Sequence, residues 1–241
     1  MKAFLLIGQS NMAGRGDFGE VEEINNPLCK MLRNARWQTM SSPVCADRGV
    51  STYFHSGIGL SESFADEYAK YFQEEIGLIP CADGGTTLSQ WQPGEALFAN
   101  TVAQCRLAQE YADAEIIGIL WHQGESDSQT AEQVACYEAG FLTMLTTLQK
   151  ELGLPEDIPV LIGELGEFVK TFQNGRCAYV DDINAVLEKI TKNLPRSAFV
   201  SAKGLDCKED GIHFNSVSYR EFGKRYFEAY RTITQKVKER Q

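Results

Sequence analysis

Short apolar segments alternate with longer amphipathic segments along most of the chain. Five short runs have the continuous apolar character of strands buried on both faces; they cover residues 3–7, 76–82, 116–123, 158–165 and 198–202. Five longer segments place apolar residues at helical spacing; they cover about 60–75, 95–112, 130–152, 180–194 and 218–238. This alternation predicts βαβ units, and therefore a five-stranded parallel sheet with helices on both faces.

The last predicted helix has the clearest pattern. Its large apolar side chains recur every three or four positions, as on one face of a helix: Tyr219, Phe222, Tyr226, Tyr230 and Ile233. A stripe of this kind is typical of core packing. Ser218 and Glu221 have the spacing of a capping box at the start of this helix, and Thr130 and Gln133 have the same spacing at the start of the central helix.

Residues 17–59 show little periodicity of either kind. Loops of this length in compact domains are usually functional, so we expect this segment to form one wall of a site. Trp37, Tyr53 and Phe54 are scattered among polar residues there, which favours stacking on sugars over binding of acyl chains. No repeat, low-complexity stretch or linker divides the chain, so residues 1–241 are expected to form a single domain.

The charge balance narrows the classes of partner. The chain carries 33 acidic and 23 basic side chains, a net charge of −10. Nucleic-acid-binding proteins normally present a basic face, and an acidic protein is repelled by anionic membranes and polyanions. The composition therefore favours neutral small molecules or neutral polymers, and argues against nucleic-acid and membrane partners.

The distribution of apolar residues and cysteines bears on the compartment. The chain has no apolar stretch of the length that spans a membrane, and its N-terminal apolar run is too short for a signal peptide. Its seven cysteines include no CxxC pair, which favours reduced thiols over a disulfide framework. These features predict a cytoplasmic protein.

Polar residues are concentrated just after the predicted strands, where open α/β sheets bind their ligands. The first strand leads into a glycine-flanked turn that can lift Ser10 above the sheet edge. The second leads to Gly84 and Gly85, whose backbone can approach a ligand closely. The third leads to His122, Gln123 and Glu125: two titratable groups and an amide able to donate to an oxyanion.

The fifth strand is followed by Asp210 and, three residues later, His213. At this spacing the carboxylate can accept from the imidazole Nδ1–H, which leaves Nε2 free as a base. A serine needs such a base to act as a nucleophile, so Ser10, His213 and Asp210 together supply the parts of a hydrolytic triad. Because no H-E-x-x-H motif or Cys/His cluster has ligand spacing, we expect neither a metal nor another cofactor.

Four blocks of the chain resemble the sialate O-acetylesterase and carbohydrate esterase family 6 branch of the SGNH hydrolases, which includes acetylxylan esterases. The blocks run in the order of that family: Gly-Gln-Ser-Asn-Met-Ala-Gly-Arg-Gly at 8–16, Pro-Cys-Ala with Gly-Gly-Thr within 80–86 followed by Trp91, Trp-His-Gln-Gly-Glu-Ser-Asp at 121–127, and Asp-Gly-Ile-His-Phe at 210–214. The resemblance implies a flavodoxin-like three-layer α/β/α sandwich and a serine esterase that needs no metal.

The same resemblance assigns roles by position. Ser10 would be the nucleophile, His213 the base and Asp210 its orienting acid, while Gly85 (or Gly84) and Gln123 would complete an oxyanion hole with the Ser10 amide. Some members of the family are described as using the glutamate of the third block as the triad acid, so Glu125 is an alternative to Asp210. Residues within these blocks are further candidates for substrate contacts; they are Gln9, Asn11, His122 and Glu125.

Three function classes follow from these observations. The leading hypothesis is removal of O-acetyl groups from neutral sugars, such as acetylated xylan or oligosaccharides, through an acyl-enzyme. A short-chain lipase or thioesterase on the same scaffold is the first alternative, and it would need a long apolar groove. A sugar-binding module without catalysis is the second, and the presence of all three triad residue types argues against it.

Overall fold

A seven-stranded sheet forms the centre of the computed structural model, which describes residues 1–46 and 55–238. The strands are β1 Lys2–Gly8, β2 Cys29–Arg33, β3 Arg36–Thr39, β4 Ile76–Pro80, β5 Glu115–His122, β6 Val160–Gly163 and β7 Ser197–Val200. Their order across the sheet is β3-β2-β4-β1-β5-β6-β7. All neighbouring strands are parallel except β2 and β3, which are antiparallel.

Helices cover both faces of the sheet. They are α1 Ser10–Ala13, α2 Ser61–Phe72, α3 Ala96–Tyr111, α4 Ala131–Leu152, α5 Val180–Asn193 and α6 Ser216–Lys238, with short 3₁₀ segments at Leu88–Trp91, Glu125–Asp127 and Glu167–Asn174. α2 and α6 pack together on one face, and α3, α4 and α5 pack on the other. The predicted three-layer α/β/α class is therefore confirmed.

The central strand β1 shows why the sheet is buried on both faces. Ala3, Leu5 and Ile7 point into the core beneath α3, α4 and α5. Phe4 and Leu6 point into the core beneath α2 and α6. All five side chains are at most 1% exposed. Because β1 lies between β4 and β5, its carboxyl end opens at the middle of one sheet edge, where ligands bind in this class of fold.

The prediction of five strands was wrong, because the segment 17–59 contributes the hairpin β2–β3. Its two-residue turn, Asn34-Ala35, has positive φ at both positions (54° and 57°), the backbone form that suits a tight hairpin. An Asn-Gly pair usually marks this turn in a sequence, and alanine replaces the glycine here. β3 is an exposed edge strand, so it also lacks an apolar run.

Trp37, one of the three aromatic residues noted in that segment, does not lie where sugar stacking was expected. Trp37 lies on β3, and its indole N–H donates to the Ala112 carbonyl oxygen at 2.8 Å, near the amino end of β5. This is the edge of the sheet opposite to the predicted site. Tyr53 and Phe54 lie outside the described residues. Ala46 and Ser56 border the site, as expected for this segment.

One of the two predicted capping boxes is present. Thr130 and Gln133 cap α4 reciprocally, as expected. The box at Ser218 and Glu221 was a wrong prediction, because α6 begins two residues earlier and the Ser218 N–H donates to the side chain of Asn215 at 2.8 Å.

The described residues show neither a membrane-spanning helix nor a metal-binding cluster. None of their helices combines the length and the apolar character required to cross a bilayer. Nor do three or more of their histidine, cysteine, aspartate or glutamate side chains converge in a way that could hold a metal ion.

Candidate active site

The turn after β1 presents Ser10 at the sheet edge. Gly8 adopts a φ of 134°, and a Cβ at this position would lie 2.2 Å from the His122 carbonyl oxygen on β5. Glycine is therefore required for the two chains to approach this closely. The Gln9 N–H donates to the same carbonyl oxygen at 2.9 Å, and α1 starts at once with Ser10. The nucleophile candidate is thus anchored to the two central strands.

Ser10, His213 and Asp210 form a continuous hydrogen-bonded row. Ser10 Oγ lies 2.8 Å from His213 Nε2, and His213 Nδ1 lies 2.7 Å from Asp210 Oδ2. The other Asp210 oxygen accepts the backbone N–H groups of Ile212 and His213, both at 3.0 Å. The fold therefore brings together the three residues that the sequence analysis placed near opposite ends of the chain.

The electrostatics of Asp210 suit an orienting acid. Partial burial would raise its pKa, but the hydrogen bonds from the His213 side chain and from the backbone N–H groups of His213 and Ile212 outweigh that effect and lower the pKa to about 2. Asp210 is therefore ionised at neutral pH. An ionised Asp210 keeps the His213 proton on Nδ1, and Nε2 is left as the acceptor facing Ser10.

A cavity of about 550 Å³ opens beside this row. Its size is in the range of small-molecule sites. Ser10 and His213 lie on its wall together with Gly84 and Gly85. The remaining lining is mixed: polar side chains such as Gln129, Gln173 and Arg176 lie beside the large apolar side chains of Phe172 and Ile212. The cavity therefore suits a polar ligand with a small apolar portion.

Two backbone N–H groups point to an oxyanion site. Those of Ser10 and Gly85 have no hydrogen-bond partner among residues 1–46 and 55–238. Gly84 packs so closely against the nucleophile that a Cβ there would lie 3.4 Å from Ser10 Cβ and 2.6 Å from Arg15 Nη2. Gly85 has a φ of 71° and open space beside it. Because Gly84 has no side chain, the backbone of this glycine pair can lie next to Ser10.

Gln123 lies behind the cavity instead of facing it. Its side chain is fully buried, and its amide nitrogen donates to the Thr86 carbonyl oxygen at 2.9 Å and to Asp127 Oδ2 at 2.5 Å. Asp127 also accepts the Leu88 N–H at 2.8 Å. Because both amide hydrogens are engaged internally, the expected direct donation to an oxyanion does not fit this geometry. Gln123 instead holds the loop that carries Gly85.

The other candidate contacts divide into two groups. Gln9 and Glu125 border the cavity with 2% and 1% of their surface exposed. Asn11 and His122 are completely buried, so the expectation that they contact substrate does not fit the structure. Glu125 Oε1 accepts from Asn11 Nδ2 at 2.5 Å and lies 3.7 Å from His122 Nε2. The imidazole nearest to Glu125 is thus His122, whereas His213 is paired with Asp210.

Two arginines of the cavity wall were not identified from sequence. Arg15 lies within the first block, where the sequence does not distinguish a substrate contact from a solvated side chain. Arg176 had no motif around it, since it follows an irregular 3₁₀ segment whose course is set by tertiary packing. Gln129 and Gln173 accept hydrogen bonds from the Arg176 guanidinium at 3.2 and 3.0 Å, which holds it at the cavity.

Comparisons with known proteins agree with this fold and indicate the family of the chain. A family model described as carbohydrate esterase, sialic acid-specific acetylesterase, matches residues 1–232. An Arabidopsis thaliana protein named as a probable carbohydrate esterase is 27% identical over 94% of this chain and 89% of its own length. A solved structure from the same plant is 26% identical, with a TM-score of 0.81 over 96% of this chain and 98% of that one.

More distant structures share the fold. The structure titled NanS has a TM-score of 0.76 at 18% identity, covering 98% of this chain and 97% of its own. The acetylxylan esterase Axe2 of Geobacillus stearothermophilus has a TM-score of 0.56 at 12% identity, covering 95% and 93%. Because the family model spans nearly the whole chain, the protein belongs to the carbohydrate esterase family of sialic acid-specific acetylesterases.

Proposed function

We propose that the protein is a serine esterase that removes O-acetyl groups from carbohydrates through an acetyl-enzyme intermediate. The observation that carries the proposal is the row of Ser10, His213 and Asp210, with separations of 2.8 and 2.7 Å, whose first two members lie on the wall of a cavity. Membership of a carbohydrate esterase family supports an acetylated sugar as the substrate class.

In the first half of the reaction, Ser10 Oγ attacks the carbonyl carbon of the acetyl group while His213 Nε2 takes the serine proton. The carbonyl oxygen becomes an oxyanion that accepts from the N–H groups of Ser10 and Gly85. Each such donor typically contributes about 10²–10³-fold in rate. The bond to the sugar oxygen then breaks, and His213 returns the proton to that oxygen. Acetyl-Ser10 and the sugar alcohol result.

In the second half, water replaces the serine as the nucleophile. His213 Nε2 takes a proton from the water as its oxygen attacks the acetyl carbon of acetyl-Ser10. The same backbone donors bind the second oxyanion. When that intermediate collapses, the proton on His213 returns to Ser10 Oγ, and acetic acid leaves and loses its remaining proton to solvent as acetate. Asp210 remains ionised throughout and stabilises the imidazolium that forms in each half.

A panel of esters tests the proposal. We expect the wild-type protein to release acetate from acetylated xylo-oligosaccharides and from an aryl acetate. It should cleave the aryl acetate faster than the aryl octanoate, because Phe172 and Ile212 are the large apolar side chains among the described residues of the lining and form no long apolar groove. A preference for octanoate would favour the lipase alternative. Sugar binding without turnover of any ester would favour a binding module and contradict the proposal.

A second substrate class, acetylated acidic sugars, is favoured by the two arginines. Gly14 O and Ser56 Oγ accept from Arg15 Nη1, which leaves Nη2 above Gly84. Neither Arg15 nor Arg176 has a carboxylate within ion-pair distance among the residues that the structure describes. Although the net charge of the chain is −10 and the carboxylates of Asp83 and Glu125 also border the cavity, these two guanidinium groups offer positive charge to a ligand. This charge suits the carboxylate of a sialic acid.

Replacing Arg176 by glutamine is expected to lower kcat/KM for an O-acetylated sialic acid by about tenfold, the loss of one charge-assisted hydrogen bond. The same change should alter kcat/KM for acetylated xylo-oligosaccharides by less than about twofold, because a neutral sugar has no carboxylate to bind Arg176. Arg106→Gln is the matched control, because Arg106 pairs with Glu151 near the far end of α4. An equal loss on both substrates would contradict recognition of a carboxylate by Arg176.

A further inference from the structure

The side chain of Asn11 makes four hydrogen bonds inside the protein. Its Nδ2 donates to Glu125 Oε1 at 2.5 Å and to the Ile212 carbonyl oxygen at 3.0 Å. Its Oδ1 accepts from the Tyr219 hydroxyl at 2.6 Å and from the Phe214 N–H at 3.3 Å. A side-chain amide has two donor hydrogens and two acceptor lone pairs, so every one of its positions is used.

The partners of this amide lie on either side of the base. Ile212 precedes His213 and Phe214 follows it, while Asn11 is the residue after Ser10. One fully buried side chain therefore links the nucleophile turn to both backbone groups that flank the base. Because the peptide is held on both sides of His213, its imidazole has little freedom to move away from Ser10. The link therefore joins the two segments whose side chains meet at the 2.8 Å contact between Ser10 Oγ and His213 Nε2.

Glu125 fixes the direction in which the Asn11 amide points. An ionised carboxylate only accepts hydrogen bonds, so the Nδ2 side of the amide must face Glu125 and the Oδ1 side must face Tyr219 and Phe214. Burial by itself would raise the pKa of Glu125, but its interactions with His122 and Asn11 outweigh that effect and lower the pKa. Glu125 is therefore ionised at neutral pH and keeps this orientation.

We propose that Asn11 is a positioning residue that aligns Ser10 with His213, and that Glu125 acts through Asn11 instead of serving as the acid of the triad. This inference rests on the proposed function. It accounts for a buried carboxylate close to the site whose oxygen contacts the Asn11 amide at 2.5 Å, while Asp210 occupies the position next to His213 Nδ1.

The isosteric change Asn11→Asp tests the link. It replaces the Nδ2 donor by an oxygen that faces the Glu125 carboxylate and the Ile212 carbonyl oxygen, so the loop that carries His213 must shift. Misplacement of a reacting group by about 1 Å costs on the order of 10²-fold in rate. We expect kcat to fall by about 10²-fold and KM to change by less than about threefold, because Asn11 has no exposed surface that could touch a substrate.

A compensating variant separates alignment from a general loss of structure. Glu125→Gln alone should lower kcat by no more than about tenfold, because its amide oxygen can still accept from Asn11. In the double variant Asn11→Asp/Glu125→Gln, the new amide N–H can donate to the new carboxylate. We expect the double variant to be at least about fivefold faster than Asn11→Asp, a coupling typical of residues in one hydrogen-bond network.

Two readouts keep this inference distinct from the proposed function. The first is kcat and KM on an aryl acetate. The second is the rate at which phenylmethylsulfonyl fluoride labels Ser10, which reports the reactivity of the serine toward a reagent that is not an ester. A wild-type protein that is labelled but cleaves no acetyl ester would contradict the proposed function alone, and the labelling rates of the variants would still test the alignment.

Three results would overturn the inference. One is a double variant whose kcat falls by the product of the factors measured for the two single variants. Another is a fall in kcat for Glu125→Gln that is as large as the fall for Asp210→Asn. If Asn11→Asp does not fold, as judged by circular dichroism, Tyr219→Phe removes only the hydroxyl that donates to Asn11 Oδ1. Unchanged kcat and labelling rate in Tyr219→Phe would be the third.

Discussion

Replacing Ser10 by alanine is expected to lower kcat for acetyl esters by at least about 10⁴-fold, as in other triads that lose their nucleophile. The Ser10 hydroxyl is 2.8 Å from His213 Nε2, and alanine leaves no atom there that could form an acetyl-enzyme. The cavity and its backbone donors remain, so KM should change little. Initial rates on an aryl acetate and on acetylated oligosaccharides measure the effect.

Ser201→Ala is the matched control for this change. Ser201 is exposed just after β7, and its hydroxyl donates to Glu164 Oε2 instead of contacting the triad. It should keep wild-type rates. Mass spectrometry of the wild-type protein quenched during turnover should show an acetyl group on the peptide that contains Ser10. More than a few per cent of wild-type activity in Ser10→Ala would contradict covalent catalysis by this serine.

The second large effect is expected for Asp210→Asn, which should lower kcat by about 10⁴-fold at neutral pH. An asparagine amide can donate to His213 Nδ1, and this favours the tautomer whose proton is on Nε2. Nε2 is then already protonated and cannot accept the proton of Ser10. Asp206→Asn is the control, since it makes the same substitution at an exposed position four residues earlier. Activity of Asp210→Asn within about tenfold of wild type would contradict the assignment of Asp210 as the acid.

The pH dependence of the wild type follows from the same pair. Protonated His213 cannot accept the serine proton, so kcat/KM should fall on acidification. The pKa of Asp210 is about 2, so this carboxylate becomes protonated only in strong acid. The contribution of Asp210 to stability is present above its ordinary pKa of 3.8 and is lost as the pH falls toward 2. A kcat/KM that does not fall on acidification would contradict His213 as the base.

The predictability of the fold depended on how deeply each element is buried. Strands with apolar side chains on both faces, such as β1 and β5, were located within a residue or two. The aromatic face of α6 was also predicted correctly as core, with Tyr219, Phe222 and Tyr226 fully buried. The hairpin β2–β3 was missed because an edge strand satisfies its outer hydrogen bonds with water and needs no apolar run.

The predictability of the site depended on the distance in sequence over which its contacts act. Asp210 and His213 are three residues apart, so their spacing already indicates a hydrogen bond. The orientation of Asn11 depends on Glu125, Ile212 and Tyr219, which are 114, 201 and 208 residues away. A local sequence pattern cannot indicate contacts between residues so far apart in the chain. The interior position of Gln123 was missed for the same reason, because its partners come from separate loops.

The separation of Ser10 from His213 by 203 residues also governs when the site can form during synthesis. Lys2 of β1 pairs with Ile76 of β4 and Glu115 of β5, so an apolar strand must wait for partners that emerge from the ribosome much later. At about 5–20 residues per second, this wait lasts several seconds. During translation, a chaperone could therefore bind β1 before its partner strands β4 and β5 are available. The contact of Ser10 with His213 can form only after residue 213 has been synthesised.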